Sequence, residues 1–204
     1  MIDDPEKIDP HYDFEHGILK NVRGIAQRDS LKQFERMKTG AALIRLSMEP
    51  VRGGFDVVHL REIHRRIFSS VYPWAGEFRQ VNMSRQASHP FATVQQMEGK
   101  LEKIFEKLAK DGHLKGLDAD DFAVKAGLLL GELNSVHPFR DGNGRVQREF
   151  VRELAEEAGH RINWIRISRE QMYGASDDNH NLGRVAGLID VVWSAIEPAP
   201  VRSK

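Results

Sequence analysis

The sequence predicts an all-α protein that carries one β-hairpin beside a functional loop. Apolar residues recur at intervals of three and four through most of the 204-residue chain, which is the spacing of one helix face. Capping residues and glycine or proline stops bracket most of these stretches. Only residues 72–92 alternate in the manner of short strands. We therefore expect a helical bundle, extending over 29–196, to supply the core.

The composition is that of one globular domain without a net charge. Hydrophobic residues make up 40% of the chain and charged residues 29%, and thirty basic side chains balance thirty acidic ones. With no net charge, the chain has no overall electrostatic field that would favour nucleic acid or a membrane surface as a partner. The absence of cysteine excludes disulfides, zinc–thiolate sites and thiol nucleophiles. No stretch approaches the ~20 apolar residues of a membrane span, and residues 1–10 do not resemble a signal peptide.

The N-terminal part of the chain is predicted to contain an arm and one helix. Prolines and glycines punctuate residues 1–28, so we expect this arm to be irregular. Asp29 or Ser30 can cap the helix that follows. The predicted buried face of this helix consists of apolar residues at helical spacing: Leu31, Phe34, Met37, Ala41 and Ile44.

A second helix is predicted after Asp56, whose carboxylate can cap the first turn. Its apolar side is formed by residues at helical spacing: Val57, Leu60, Ile63, Ile67 and Val71. His59 and His64 also lie on this helix, but their separation of five positions places them on different faces. We interpret them as packing or surface histidines rather than metal ligands.

A hairpin is predicted next, followed by another helix. Phe78 to Met83 alternates like a strand, and Ser88 to Phe91 can return antiparallel to it. Thr93 and Gln96 then form a capping box for a helix that Gly112 ends.

The helix after Asp118 or Asp120 is expected to be the buried centre of the bundle, because it is apolar around much of its circumference. Gly127 and Gly131 lie four residues apart and would let a neighbouring helix approach closely. The next helix, closed by Gly159, buries Val146, Phe150, Leu154 and Ala158 and presents Arg145, Arg148 and Arg152 on another side.

The C-terminal part is predicted to contain a second capping box, Ser168 with Gln171, and a last helical pattern over 182–196. Asp177 to Asn181 is expected to be a polar loop between them. Residues 197–204 are expected to form a frayed or linker-like tail.

The stretch His137–Arg145 between two helical patterns combines several groups that suit nucleotide chemistry. Two glycines at a helix N-terminus let backbone N–H groups approach an anion. Arg145 and Arg148 share a helix face and can grip one polyphosphate. Asp141 is a hard oxygen ligand suited to Mg²⁺, and His137 can act as a general base. A plain turn is the alternative, since Asp-Gly and Asn-Gly also form hairpin turns.

These residues resemble a known family. The sequence His-Pro-Phe-Arg-Asp-Gly-Asn-Gly-Arg-Val-Gln-Arg, residues 137–148, matches the Fic motif His-Pro-Phe-x-(Asp/Glu)-Gly-Asn-Gly-Arg-x-x-Arg without a gap or exception. The resemblance implies an enzyme that transfers AMP from ATP to a protein hydroxyl on Tyr, Thr or Ser and releases pyrophosphate. The implied fold is a Fic-type helical bundle with a hairpin flap beside the active loop.

The resemblance also assigns roles. It implies His137 as the catalytic base, Phe139 as the residue that fixes the loop, and Asp141 as the ligand of a Mg²⁺ cofactor. The implied groups that bind the phosphates of the co-substrate ATP are Gly142, Asn143, Gly144, Arg145 and Arg148. The implied flap is about 72–92, and residues 74–81 resemble its opening. The residues expected to dock the target are Phe78, Arg79, Gln80 and Val81. Arg140 is given no role, and Arg152 is expected to be a solvated surface residue.

The target and the control of the enzyme are open at this point. Resemblance to short bacterial Fic toxins implies a topoisomerase subunit as target and a bacterial cytoplasmic location. The alternatives are a translocated effector that modifies GTPases in the host cytosol, a Fic-related enzyme with a different leaving group, and a catalytically silent nucleotide-binding protein. No serine or threonine is followed by glutamate four residues later, so the inhibitory motif of many Fic enzymes is missing from the sequence. We therefore expect a separate antitoxin to supply a glutamate to Arg148.

Overall fold

The computed structural model describes residues 9–85 and 89–198, and helices predominate within these ranges. The α-helices are α1 (Arg28–Met48), α2 (Val57–Phe68), α3 (Val94–Lys110), α4 (Ala119–Val136), α5 (Asn143–Glu157), α6 (Arg169–Leu182) and α7 (Ala186–Ala195). Short 3-10 helices at Gly112–Leu114 and Trp164–Arg166 connect α3 to α4 and α5 to α6. The prediction of an all-α protein is confirmed. Among the described helices, none is both long and apolar enough to cross a membrane.

Helix α4 is the centre of the bundle, as its composition predicts. Asp118 caps it by accepting from the Asp121 amide, and its buried residues include Phe122, Leu130 and Leu133. A Cβ on Gly127 would lie 2.7 Å from the Cα of Ile189 on α7. The small residue is therefore needed for the close contact of these two helices, which fixes α7 against the core.

Helix α1 presents a different face to the core from the predicted one. Met37 and Ile44 are 61% and 64% exposed, so their assignment to the buried face is wrong. The buried residues are Leu31, Thr39, Ala42 and Leu46. The inward face also carries polar contacts to α5 that a hydrophobic pattern does not detect. The helix starts at Arg28 without a side-chain cap from Gln27, so neither Asp29 nor Ser30 caps it.

The N-terminal arm is ordered against the bundle over the described residues from 9 onward. Strands β1 (Tyr12–Asp13) and β2 (Ile18–Leu19) pair antiparallel, with Tyr12 opposite Leu19. The Val22 amide donates to the Val71 carbonyl at 2.9 Å. Most of residues 9–27 are turns and coil, and the paired backbone groups together with the buried Ile18 side chain attach this segment to the core.

The hairpin is shorter and later than predicted. Strands β3 (Ser84–Arg85) and β4 (His89–Pro90) pair antiparallel with Ser84 opposite Pro90, and residues 86–88 between them lie outside the described ranges. Phe78 to Met83 does not form the predicted strand, because this segment packs onto the loop after α4. The Arg79 amide donates to the Pro138 carbonyl at 2.9 Å, and the Ala92 amide donates to the Ser135 carbonyl at 3.1 Å. One end of the flap is thus tied to the loop after α4 and the other end to the last turn of α4.

The predicted polar loop from Asp177 to Asn181 lies within α6 instead. The capping box of Ser168 and Gln171 begins this helix, and Gly183 ends it in the left-handed conformation. Asn134 of α4 donates to the Ser176 carbonyl and to the Asn179 side chain, so polar residues of α6 face the core. Of the predicted tail 197–204, only the first two residues are described; the Glu197 amide donates to the Arg161 carbonyl at 2.8 Å. Residues 199–204 lie outside the described ranges.

A buried charge cluster joins α5 to α2. Glu153 accepts from the Val51 amide and lies 2.7 Å from the Nε2 atom of His59. Arg152 donates to Glu149 and Glu156, and its side chain is only 16% exposed. The prediction of a solvated Arg152 is therefore wrong, because the surrounding carboxylates hold it against the protein.

Candidate active site

The loop from His137 to Gly142 lies where the C-terminus of α4 meets the N-terminus of α5. His137 ends α4 in the left-handed conformation, with φ of 50°. Gly142 precedes α5 with φ of 85°, a conformation that favours glycine. A Cβ at Gly142 would also lie 2.2 Å from the ring of Phe68. Both the backbone angle and the lack of space therefore require glycine at this position.

Phe139 and Asn143 hold the loop from inside. The Phe139 amide donates to Asn143 Oδ1 at 2.9 Å, and Asn143 Nδ2 donates to the Phe139 carbonyl at 2.7 Å. Both residues are buried. The Asn143 side chain therefore serves the loop itself, and Phe139 is buried beside it.

His64 supports the same loop from α2. Its ring stacks on Phe139 with centroids 4.0 Å apart. Nδ1 accepts from the Gly76 amide at 2.8 Å, and Nε2 donates to the Asp141 carbonyl at 3.2 Å. Burial lowers the pKa of His64 to about 3, so the ring is neutral at physiological pH. His64 is thus the packing histidine that the sequence predicts, and it also bears on the candidate site.

Arg79 occupies a structural position rather than a surface one. Its guanidinium donates to the carbonyls of His137 at 2.8 Å, Val81 at 2.8 Å, Val136 at 3.2 Å and Ala92. Burial without a carboxylate lowers the pKa of Arg79 to about 10. A cation at the C-terminal carbonyls of α4 is favoured by the helix dipole.

The expected docking residues therefore divide into two groups. Arg79 and Val81 are buried, so the structure contradicts a surface role for their side chains. Phe78 is half-buried against Phe139, with ring centroids 5.5 Å apart, while Gln80 is exposed. Only Phe78 and Gln80 remain available to another molecule in this conformation.

The imidazole of His137 is held by a residue of the flap. Phe91 follows β4 and stacks on the His137 ring with centroids 3.9 Å apart and planes 13° apart. Phe91 also contacts the ring of His180 on α6, with ring centroids 4.4 Å apart. The ring of His137 is thus oriented by stacking, and the base of the flap is coupled to it.

Two arginines bring positive charge to the first turns of α5. Arg145 Nη1 lies 2.6 Å from Glu35 Oε1, and the guanidinium lies 4.6 Å from the ring centre of Phe68. Arg148 is half-buried on the next turn, and burial followed by the charge of Arg145 lowers its pKa. Two neighbouring cations at a helix N-terminus form a site that an anion would stabilise.

Asp141 provides the acidic group of the site. Its Oδ1 accepts from the Gly142 amide at 2.6 Å and lies 3.7 Å from Arg145 Nη2. Burial and, next, the charge of Glu35 raise the pKa of Asp141, while Arg145 opposes this shift. A cation bound at this carboxylate would relieve the unfavourable charge.

A cavity of about 580 Å³ joins these groups. His137, Asp141 and the first turns of α5, from Gly142 to Arg148, form one wall. Met83, Ser84 and Phe91 close the flap side, while the opposite wall comes from the second 3-10 helix and α6, including Trp164, Met172 and Tyr173. This volume falls within the range of pockets that enclose small ligands, and its mixed polar and apolar lining suits a nucleotide.

Several residues of the site are not signalled by the sequence pattern. Phe91 of the flap and His64 of α2 contact the loop, and Glu35 of α1 contacts Arg145 of α5. Arg140, which was given no role, forms an ion pair of 2.5 Å with the fully buried Asp9. Only Phe91 could have been suspected, because it lies at the end of the predicted hairpin.

A helical bundle with this loop at the wall of a cavity agrees with the Fic-type fold that the motif 137–148 implies. The Fic/DOC family model matches residues 54–155. The chain is 42% identical over 175 residues to the protein adenylyltransferase VbhT of Bartonella schoenbuchensis, covering 84% of this chain and 36% of that protein. It is 31% identical over 153 residues to the probable protein adenylyltransferase Fic of Escherichia coli, covering 75% of each.

A solved structure gives the same result. The crystal structure of BepC, a VirB-translocated effector protein of Bartonella tribocorum with bound AMPPNP, superimposes with a TM-score of 0.84 at 27% identity. The match covers 89% of this chain and 93% of that one. This chain belongs to the Fic/DOC family.

Proposed function

We propose that this chain is a protein adenylyltransferase, which transfers AMP from ATP to a hydroxyl of a target protein. The observation that carries the proposal is the arrangement of His137, Asp141, Arg145 and Arg148 around one cavity at the N-terminus of α5. The name protein adenylyltransferase carried by VbhT supports the same chemistry, as does the AMPPNP bound to BepC.

The reaction is a displacement at the α-phosphorus of ATP. His137 takes the proton from the incoming hydroxyl of the target. The hydroxyl oxygen forms a bond to the α-phosphorus, and the bond from this phosphorus to the β-phosphate oxygen breaks. Pyrophosphate leaves with the electron pair of that bond. Positioning and charge stabilisation supply most of the acceleration, since no covalent intermediate with the enzyme is required.

The first turns of α5 bind the phosphates. Backbone N–H groups between Gly142 and Gly144 and the dipole of α5 stabilise the charge that develops at the α-phosphate. Asn143 contributes through its backbone, because its side chain is engaged with Phe139. Arg145 and Arg148 bind the β- and γ-phosphates through charge-assisted hydrogen bonds.

Asp141 fits a Mg²⁺ ion that accompanies ATP. Its carboxylate lies at the cavity wall, and the Oδ1 atom accepts a hydrogen bond from the Gly142 amide. Oxygen ligands of this kind suit Mg²⁺, which would neutralise charge on the α- and β-phosphates.

The target docks beside the flap. An extended segment carrying the acceptor Tyr, Thr or Ser can pair with the exposed edge of the β3–β4 hairpin, next to Phe78 and Gln80. The proposed target is a topoisomerase subunit in the bacterial cytoplasm, which is what the resemblance of the motif 137–148 to short bacterial Fic toxins implies. The likeness to BepC, a VirB-translocated effector protein, supports the alternative of an effector domain, for which the motif resemblance implies a GTPase of the host cytosol as the target.

Control of the enzyme is proposed to come from a second protein. Arg148 lines the cavity, and the sequence has no serine or threonine followed by glutamate four residues later. A small antitoxin would insert a glutamate against Arg148 and displace the γ-phosphate. Expression of the chain alone should therefore harm bacteria, whereas the His137→Ala variant should not.

Labelled ATP distinguishes the proposed reaction from its rivals. The purified chain is incubated with cell lysate and either α-labelled or γ-labelled ATP. AMP transfer labels protein from α-labelled ATP only. A kinase-like reaction labels protein from γ-labelled ATP only. A silent nucleotide-binding protein gives no labelled protein with either nucleotide. Label from γ-labelled ATP, or no label at all, would contradict the proposal.

A further inference from the structure

A glutamate from the N-terminal helix reaches the candidate phosphate site. Glu35 Oε1 lies 2.6 Å from Arg145 Nη1, and Glu35 Oε2 accepts a hydrogen bond from the Tyr72 hydroxyl. The Glu35 side chain is only 14% exposed. The two residues of this ion pair belong to α1 and α5, and Tyr72 follows α2, so three separate segments meet at the Glu35 carboxylate.

Other contacts restrict the same guanidinium. Arg145 Nη1 also donates to Thr39 Oγ1 at 3.3 Å, and the cation lies over the Phe68 ring at 4.6 Å. A guanidinium is a rigid planar fork, so fixing Nη1 and one face fixes the direction of its remaining N–H groups. Nη2 lies 3.7 Å from Asp141 Oδ1, and both residues line the cavity.

Stability alone is a poor explanation for this ion pair. Taking two charges largely out of water costs several kcal/mol per ion, and apolar replacements of such pairs are often neutral or stabilising. An arginine held in one orientation at the wall of a cavity, in contrast, binds a phosphate without losing further side-chain entropy.

We propose that Glu35, oriented by Tyr72, is a positioning residue that holds Arg145 in the orientation in which it binds the ATP phosphates. This inference rests on the proposed phosphate role of Arg145. Glu35 is not among the residues that line the cavity, and in this proposal it acts only through Arg145. The opposite possibility is that Glu35 competes with phosphate for Arg145, and the two possibilities predict opposite changes in ATP affinity.

Calorimetry with ATP and with AMP tests the inference. Glu35→Gln keeps the size of the side chain and removes its charge, and Tyr72→Phe removes one hydroxyl. Both variants should weaken ATP binding, Glu35→Gln by about three- to tenfold and Tyr72→Phe by less, while AMP affinity changes little. Glu62→Gln is the matched control, since Glu62 pairs with Arg65 and Arg66 on the outer side of α2 and should leave both affinities unchanged.

Arg145→Ala separates this inference from the proposed function. If Arg145→Ala leaves ATP affinity intact, the phosphate role fails. If Arg145→Ala weakens ATP binding but Glu35→Gln and Tyr72→Phe do not, only the positioning inference fails. Tighter ATP binding by Glu35→Gln would make Glu35 a competitor and would also overturn the inference. The inference further predicts that the double variant Glu35→Gln/Arg145→Ala binds ATP no more weakly than Arg145→Ala alone.

Discussion

The Arg79→Met substitution tests whether the flap is built onto the active loop. It removes a buried cation that donates to the carbonyls of Val81, Ala92, Val136 and His137. A buried carbonyl that loses its donor costs about 1–3 kcal/mol. If water reaches two of these carbonyls, the other two remain without a donor. Their loss lowers the free energy of unfolding by about 2–6 kcal/mol. This is a large part of the 5–15 kcal/mol that typically stabilises a folded protein.

Urea unfolding followed by tryptophan fluorescence measures this loss. Gln80→Ala is the control, because Gln80 is the exposed neighbour of Arg79 and should change the free energy of unfolding by less than about 0.5 kcal/mol. A loss below about 1 kcal/mol for Arg79→Met would refute the structural role. If that variant were stable and instead raised the KM for the target protein, the docking role expected from the sequence would be correct.

Three further substitutions test other parts of the site. Phe91→Leu should lower kcat while leaving ATP affinity nearly unchanged, because it removes the ring stacked on His137; Phe91→Tyr should restore the rate, and equal rates for both variants would contradict the stacking role. Arg148→Ala should weaken ATP binding by roughly ten- to a hundredfold with little effect on AMP, and equal losses for the two nucleotides in calorimetry would contradict its assignment to the terminal phosphates. Because burial lowers the pKa of His64 from 6.5 to about 3, the unfolded chain binds a proton between these values that the folded chain excludes. The free energy of unfolding should therefore fall by up to about 1.4 kcal/mol per pH unit as the pH drops below 6.5; a fall equally steep in His64→Gln would show that other groups cause it.

The parts of the fold that follow from local sequence were predicted correctly. Asp56, Asp118 and the capping box at Ser168 each act within one helical turn, so a few neighbouring residues determine them. The apolar circumference of α4 and its Gly127 likewise identify the central helix and its close contact. These signals do not depend on the rest of the chain.

The errors arise where distant segments meet. Helix α1 packs mainly on α2, and its inward side also carries Glu35, whose ion-pair partner Arg145 on α5 is far away in sequence. Arg79 is buried because carbonyls from both sides of the flap surround it, although a charged residue in an alternating stretch usually faces water. The motif 137–148 predicts which groups gather at the loop, whereas the residues that hold them come from α1, α2 and the flap.

The central claim is that His137 activates a target hydroxyl while the groups of α5 bind ATP. The most direct measurement compares the wild-type chain with His137→Ala for transfer of label from α-labelled ATP to lysate protein, with ATP affinity measured on the same preparations. We predict that the variant loses protein labelling and keeps an ATP affinity within about threefold of the wild type, since the base is separate from the phosphate-binding groups. Labelling that survives in His137→Ala, or a loss of ATP affinity as large as the loss of labelling, would contradict the claim.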